Sequence, residues 1–492
     1  MQAPIFTDGR EAVSLHDRFR RAVMDLPAPQ TYSPETFRPL TFHDAVPRFR
    51  DGSDTPRAYL ERCLDTIAAL EPQVMAFASL NEAGAREAAD ASAARYRAGV
   101  PLSPIDGLPI GIKDLIETRD MPTEMGSAFY KGNRPGRDSA LVQALRQAGA
   151  VIVGKTVTTE LGMSHPGPTR HPFDLRRTPG GSSSGSGAVI SARMLPAAIG
   201  TQVLGSVIRP ASFNANWALK PTQGGINRGE RQGFSQSTVG IHAGSAEDMW
   251  AIAVEIVKRV GGDPGAPGMY FTAEAPPPAF RPRRLAVLET EGWSVVEPKA
   301  AAAFERALDA LRAEGVEVIR RDNHPLLEML EQRVMGAMGL ATDVCAYESA
   351  WSVANMMAKN PDALSASLKA RFELGCSVTL EQYRARLLQR EEMRRAQAAL
   401  AGEVDGFIGL PACGPAPLPG DTGGSTNRIL HTTGNPIMNT ASSGLGCPVV
   451  TVPKMAVEGL PLGIAVTAQP HQDERAAAIA RWIADAIPPI IA

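Results

Sequence analysis

The stretch from Pro179 to Pro221 constrains the fold more than any other part of the chain. It begins with the Gly/Ser loop PGGSSSGSG, continues through small apolar residues, and closes with a second Gly-Ser turn before LKP. Glycine permits left-handed backbone and a close approach of two segments, although fixing it costs conformational entropy. A chain that keeps so many small residues together needs exposed backbone N–H groups or an unusual turn, and catalytic sites use both.

The composition is that of an ordinary globular protein. The 492 residues are 44% hydrophobic and 21% charged, which argues against wholesale disorder. Lys and Arg number 50 and Asp and Glu number 52, so the net charge of −2 gives no electrostatic footprint for nucleic acid or an anionic membrane. Aromatic residues make up only 5%, which also argues against a base-stacking surface.

The cysteines and the N terminus indicate the compartment. The five cysteines are scattered and form no CxxC pair, which predicts free thiols rather than a disulfide frame or a zinc site. They are Cys63, Cys345, Cys376, Cys413 and Cys447. No basic segment followed by an apolar one opens the chain, and no apolar run reaches the ~18 residues of a membrane span. We therefore expect a soluble cytoplasmic protein.

The periodicity of apolar residues predicts an α/β fold. Residues 55–97 have helical spacing, residues 325–402 are almost wholly helical, and strand patterns alternate with helices elsewhere. This order is typical of a large, mostly parallel, twisted central sheet with helices on both faces. We predict an arm with a short helix at Ser14–Met24 over residues 1–54. A single domain over residues 55–485 follows, in which 325–402 line the substrate.

Two segments have strong local signals. Thr55 followed by Pro56 is typical of a helix N-cap and first helical residue. LPIGIKDLIET, residues 108–118, is an apolar run with Lys113 inside it, which predicts a buried strand that ends at a functional edge. Successive strand residues face opposite sides, so Asp114 is expected to point away from Lys113.

The Gly/Ser loop does not match a phosphate-binding motif. The Walker pattern requires a lysine after its second glycine, and none follows here. A dinucleotide fingerprint joins a strand to a helix, whereas this loop follows the Pro-rich segment 164–178. A flexible linker is disfavoured as well, because apolar elements flank the loop on both sides.

Several motifs, in order and at the right spacing, resemble those of the amidase signature family. The family pattern GGSSGGSAA…GTDxGGSIRxPA…GLKPT is matched by GGSSSGSGA, GTQVLGSVIRPA and ALKPT. The likeness extends to GLPIGIKDLIET, VIVGKTVTTELGM and CPVVTVP…GLPLGIAV, and covers roughly residues 55–480. It implies the amidase signature fold and a Ser-cisSer-Lys amidohydrolase that works through an acyl-enzyme.

The resemblance assigns three catalytic residues: Ser206 as the nucleophile, Ser182 after a cis peptide bond as the bridging serine, and Lys113 as the base. Ser183 and Ser184 are expected to support them. Burial fits this role for Lys113, because desolvation disfavours the ammonium and keeps the amine neutral.

The turn before the nucleophile is expected to supply the oxyanion donors through its backbone N–H groups. These donors are Val203, Leu204, Gly205 and Ser206. The chain departs from the family in and beside this turn. Gln202 stands in place of Asp, Leu204 in place of Gly, and Ile208 in place of Arg, with Arg209 one place later. We therefore expect a working enzyme with an atypical pocket.

The expected reaction is hydrolysis of a small aryl or alkyl amide, with carbamates, ureas and hydrazides as related options. Predicted substrate-binding residues are Met125, Met163, Ser164 and Trp351. No cofactor or metal is expected, because there is no HExxH motif and no cluster of carboxylates. The partners are then a small-molecule amide and water, without nucleic acid or membrane, and the family implies a homodimer. Three alternatives remain: a glutamine-hydrolysing component of a tRNA-dependent amidotransferase, an inactive binding protein, and an ester hydrolase.

Overall fold

A computed structural model describes residues 29–163, 165–229, 233–421 and 431–492 of the chain. Within these ranges twelve strands build one sheet. The strands are β1 Phe77–Leu80, β2 Pro109–Lys113, β3 Val151–Thr156, β4 Ala197–Gln202, β5 Trp217–Lys220, β6 Thr238–Ala243, β7 Arg284–Val287, β8 Glu317–Ile319, β9 Gly406–Gly409, β10 Val449–Val457, β11 Leu460–Thr467 and β12 Ile490–Ile491.

The same ranges contain fourteen α-helices and several short 3-10 turns. The helices are α1 Val46–Asp51, α2 Pro56–Val74, α3 Glu82–Arg97, α4 Ala140–Gln147, α5 Ser184–Ser191, α6 Ile208–Phe213, α7 Ala246–Val260, α8 Pro298–Ala313, α9 Pro325–Val334, α10 Ala337–Lys359, α11 Ala366–Ser377, α12 Leu380–Ala398, α13 Ile437–Leu445 and α14 Asp473–Ala486.

The sheet is mixed and runs in the order β1-β3-β2-β4-β6-β5-β10-β11-β9-β7-β8, with β12 beside β10. Strands β3, β2 and β4 are parallel neighbours, and so are β9, β7 and β8. The strands between these two groups pair antiparallel. The predicted α/β class is confirmed, and its parallel character is concentrated in these two groups.

Both faces of the central strands are covered. Every residue of β2, β3, β6 and β11 is buried, although successive side chains point to opposite faces. Helices α5 and α7 pack on the β4–β6 region, and α8 and α14 pack on β10. This two-sided burial explains why these strands have continuous apolar runs instead of alternating patterns.

The Gly/Ser stretch forms two short helices inside the molecule. All residues of α5 and α6 are buried, and α5 packs against β4, β2 and α6. At Gly187 of α5, an added Cβ would lie 2.9 Å from Asn214 Nδ2. Small residues are therefore required because these helices lie directly against neighbouring segments.

Several local predictions are confirmed. The Thr55 side chain caps α2 by accepting from the Ala58 N–H at 3.1 Å, with Pro56 as the first helical residue. The run 108–118 contains β2, and almost all of 325–402 is helical in α9 to α12. All five cysteines are free.

The N-terminal region differs in part from expectation. The predicted helix at Ser14–Met24 lies outside the described residues. Within the predicted helical region 55–97, a left-handed Met75 (φ 52°) ends α2, and β1 follows. From residue 29 onward the chain packs on the body: the Tyr32 N–H donates to Gly459 O at 2.7 Å, and the Tyr32 ring meets Phe173 edge-on.

Candidate active site

The carboxyl ends of β2 and β4 bring the predicted residues together. These strands are parallel neighbours, so their carboxyl ends lie at the same sheet edge, where α/β folds hold their sites. Lys113 is the last residue of β2, and Thr201 lies near the end of β4. Ser182 and Ser183 precede α5, and Ser206 lies in the turn between β4 and α6.

Four atoms surround the Lys113 amine. Its Nζ lies 2.6 Å from Ser182 Oγ and 3.0 Å from Ser183 Oγ. The Thr201 side chain and backbone supply the other two, with Oγ1 at 3.0 Å and O at 3.3 Å. All four are neutral oxygens, so nothing in direct contact with the amine compensates an ammonium charge.

Burial controls the ionisation of this lysine. Lys113 is 0% exposed, and burial lowers the pKa of its amine well below the ordinary value of 10.5. His242 on the neighbouring β6 is also buried, and burial, followed by the Lys113 charge, lowers the pKa of its imidazole to about 3. A neutral amine and a neutral imidazole are therefore the forms that this interior favours.

Asp114 points away from this site, as the alternation of the strand predicts. Its carboxylate forms a salt bridge of 3.2 Å with Lys155 of β3, and both side chains are almost completely buried. Lys155 also donates to Thr123 Oγ1 at 2.6 Å. Two buried lysines on adjacent strands thus have different partners: Lys155 has a carboxylate, and Lys113 has hydroxyls and a carbonyl.

The serines before α5 have unequal positions. The peptide bond between Gly181 and Ser182 is cis, as the family resemblance implies. The Ser183 hydroxyl contacts Lys113 and donates to Thr201 O at 3.2 Å, while its N–H donates to Ser206 O at 3.3 Å. Ser184 lies outside this network, because its hydroxyl donates to Val157 O at 3.3 Å. The structure therefore brings Ser183, but not Ser184, to the lysine.

Gln202 organises the turn that contains Ser206. Its Oε1 accepts from the N–H groups of Val207 at 2.9 Å and Ile208 at 3.0 Å, and its Nε2 donates to Ser443 Oγ at 3.0 Å. A glutamine at the position of the family's aspartate thus satisfies the first N–H groups of α6. Ser206 itself is partly exposed.

The predicted oxyanion donors have a consistent backbone arrangement. Among the described residues, no acceptor takes a hydrogen bond from the N–H groups of residues 203–206. The Leu204 carbonyl is fixed by the Ser443 hydroxyl at 2.7 Å, and the Gly205 carbonyl accepts from the Arg209 N–H at 3.0 Å. The carbonyls of this turn are held, whereas its N–H groups remain available.

Two connected cavities meet at these serines. The inner cavity has a volume of about 30 Å³, and Ser182, Ser206 and Leu204 belong to its lining. The middle cavity has a volume of about 550 Å³. Both have Gly162, Ser182, Val203 and Phe234 in their lining.

The predicted substrate-binding residues are distributed among these spaces. Met125 lines the middle cavity, and Met163 lines the inner cavity. Trp351, which is 71% exposed, lies farther out, in a groove of about 520 Å³ that also includes Met125 and Met163. Ser164 lies outside the described residues.

Sequence reasoning missed several residues of the site. Thr201, Arg371, His431 and Thr433 were not singled out, and Arg209 was noted only as a departure from the family. Thr201 follows the glycine that opens the motif GTQVLGS, so the motif itself is a usable signal. Arg371 has none, because an arginine in a polar helix predicts an exposed side chain.

The described residues contain no group of three or more His, Cys, Asp or Glu side chains arranged to hold a metal ion. Within the same ranges, no helix has both the length and the apolar character that crossing a membrane requires.

Curated relatives with significant sequence similarity are named as one of the subunits of glutamyl-tRNA(Gln) amidotransferase. The protein from Salinispora arenicola is 36% identical over 274 residues, which are 52% of this chain and 55% of that protein. The protein from Acidothermus cellulolyticus is 45% identical over 180 residues, 35% of this chain and 36% of that protein. The chain thus spans about half the length, or less, of these two relatives.

Solved structures match over a greater length. A crystal structure of an amidase superposes with a TM-score of 0.79 at 25% identity and covers 91% of this chain and 100% of its own. A peptide amidase from Stenotrophomonas maltophilia gives a TM-score of 0.74 at 23% identity, with 93% and 99% coverage, which shows a shared fold. A family model described as Amidase matches residues 58–476. The chain therefore belongs to the amidase signature family.

Proposed function

We propose that the protein hydrolyses the carbon–nitrogen bond of a small amide through an acyl-enzyme on Ser206, with Ser182 and Lys113 as its proton relay. The observation that carries this proposal is the 2.6 Å contact between the buried Lys113 amine and the Ser182 hydroxyl, beside the cavity that Ser206 also lines. Aryl and alkyl amides are the expected substrates, and carbamates, ureas and hydrazides are related ones.

The relay depends on a neutral lysine. A neutral amine has two N–H donors and one lone pair, and Lys113 has acceptors in Thr201 O and Ser183 Oγ for the donors. Its lone pair is then free to accept the Ser182 O–H. In the proposed reaction Ser182 passes its proton to Lys113 and takes the proton of Ser206, which attacks the carbonyl carbon.

Charge then develops on the substrate oxygen. The unused N–H groups of residues 203–206 are the proposed donors, because fixed donors stabilise an oxyanion without reorganising. The relay next returns a proton to the departing amine. Water, activated through the same two residues, attacks the acyl-enzyme and releases the acid and the free Ser206 hydroxyl.

The test is a screen of diverse amides, carbamates and hydrazides, with released amine or ammonia as the readout. The wild type is compared with Ser206→Ala and with Ser53→Ala, a matched change on an exposed loop. The proposal expects turnover in the wild type and in Ser53→Ala, and its loss in Ser206→Ala. Turnover that Ser206→Ala retains at the wild-type rate would overturn it.

An inactive binding protein is separated by a serine-reactive probe. A fluorophosphonate labels an activated serine and ignores an ordinary one. Labelling of the wild type at Ser206, absent in Lys113→Met, supports the enzyme. A correctly folded wild type that takes no label and turns over no amide would be a binding protein.

The second candidate is the glutamine-hydrolysing subunit of an amidotransferase. The names of the curated relatives favour it, although they match only part of the chain. Such a subunit would hydrolyse glutamine poorly when purified alone and would copurify with partner subunits. Fast turnover of small amides by the isolated chain, with slow turnover of glutamine, favours the first candidate, and the opposite pattern together with copurifying subunits favours the second.

A further inference from the structure

The inner cavity contains an arginine whose guanidinium is only partly used by the protein. Arg209 is 3% exposed, and its Nη2 donates to Gly181 O at 2.6 Å and to Thr433 Oγ1 at 3.3 Å. Its Nε and Nη1 are buried and find no acceptor among the described residues. Because burying N–H groups of a cation without acceptors is costly, a ligand is the natural source of the missing acceptors.

A second arginine lines the same cavity from the helical region. Arg371 of α11 is also 3% exposed, and His431 and Cys345 lie beside it in the lining. Burial, followed by the charges of Arg371 and Arg209, lowers the pKa of His431 to about 3, so its imidazole is neutral and has an N–H to donate. Burial raises the pKa of the Cys345 thiol to about 12, so this group carries no charge.

The inner cavity is therefore positively charged. Its lining, as far as the described residues form it, contains two arginines and no Asp or Glu. Burial lowers the pKa of Arg209 to about 10, which still leaves the guanidinium protonated at neutral pH. Two buried cations with no acidic side chain in the lining match an anionic ligand.

We propose that the inner cavity binds a carboxylate of the substrate through Arg209 and Arg371, close to the carbonyl that Ser206 attacks. The cavity of about 30 Å³ admits roughly two or three non-hydrogen atoms, the size of a carboxylate. A planar guanidinium matches the two oxygens of that group. The inference rests on the proposed function and narrows its substrate to the monoamide of a short dicarboxylic acid.

Paired substrates test this charge preference. Malonamate and succinamate each carry the anion, and malonamide and succinamide are their neutral partners. The expected kcat/KM is about 10- to 100-fold higher for each anion, the range of hydrogen bonds to charged groups. In Arg371→Gln this ratio falls towards one, while it persists in Arg384→Gln, a matched change on the exposed face of α12. A wild-type ratio of one or below overturns the proposal.

Binding without chemistry separates the two proposals. Calorimetry with Ser206→Ala is expected to show malonate binding at least about tenfold more tightly than malonamide, and the added Arg371→Gln change removes the difference. If no amide is turned over but malonate binds in this way, the proposed hydrolysis fails and the anion site stands. If amides are turned over and malonate has no advantage, hydrolysis stands and the anion site is wrong.

Arg209 also holds the carbonyl of Gly181, so its removal can disturb the fold. Arg209→Lys keeps the charge and serves as the conservative variant. Circular dichroism and thermal unfolding first establish that each variant is folded. A folded Arg209→Lys is expected to retain part of the malonate preference, and a folded Arg209→Gln is expected to lose it. Equal malonate preference in both variants and the wild type would exclude Arg209 from the site.

Discussion

Lys113 Nζ lies 2.6 Å from Ser182 Oγ, and the lysine is completely buried. The contact joins the end of β2 to the loop before α5, so two distant parts of the sequence meet at one atom pair. Its chemical consequence depends on the protonation state of the amine. Burial favours the neutral form, which is the form that can accept a proton from a hydroxyl.

The buried amine is expected to make stability depend on pH. The pKa of Lys113 is lowered in the folded state, so between that value and 10.5 the unfolded chain binds more protons and stability rises with pH. In Lys113→Met this contribution disappears. The difference in unfolding free energy between the two proteins should change by about 1.4 kcal/mol per pH unit within this window. Urea titrations at several pH values measure it, and parallel pH dependences would show that Lys113 is not neutral in the fold.

Catalysis should depend on the same group in the same direction. If the neutral amine is the base, kcat/KM falls as the pH drops through the lowered pKa of Lys113, well below 10.5. Lys113→Met is expected to lose at least about a hundredfold in kcat, the usual contribution of a general base. A pH–rate profile and single-turnover rates check both points. A variant with the wild-type acidic limb and rate would remove Lys113 from the mechanism.

The buried pair behind the site is expected to be important for stability. Asp114→Asn leaves the Lys155 ammonium buried without its carboxylate, which costs about 3–5 kcal/mol. Glu458→Gln breaks the exposed pair with Lys299 and serves as the control, with an effect below about 1 kcal/mol. Equilibrium unfolding in denaturant compares them. Equal effects would mean that the Asp114 pair is effectively solvated.

Gln202 is expected to control the geometry of the nucleophile. Gln202→Ala removes the acceptor for the Val207 and Ile208 N–H groups, which should lower the unfolding free energy by about 1–3 kcal/mol. The Ser206 turn then loses its support, so kcat should fall at least about tenfold. Gln332→Ala on the exposed side of α9 is the matched control for stability. Wild-type kcat in a destabilised Gln202→Ala would separate the turn from the chemistry.

Much of the fold could be predicted because its signals are local. Thr55 and Pro56 determine the start of α2, and the apolar run around Lys113 contains β2. By contrast, β4 and β6 consist of small or mixed residues, AAIGTQ and TVGIHA, and are buried on both faces. Alternation disappears in such strands, so periodicity cannot identify them.

The candidate site was predictable to the extent that its residues lie in motifs. Lys113, Ser182 and Ser183 were inferred from motif positions, and the structure brings them into contact. Arg371 and His431 reach the inner cavity from a distant helix and loop. Such long-range contacts leave no trace in local spacing, so only the three-dimensional arrangement reveals them.

The central claim is that Ser206 carries the acyl group. Its most direct measurement is an acid quench of the wild type during amide turnover, followed by peptide mass spectrometry. We predict a mass increase equal to the acyl group on Ser206, and no such increase in Lys113→Met quenched at the same time. An adduct on Ser182 or Ser183, or steady turnover without any adduct on Ser206, would contradict the account.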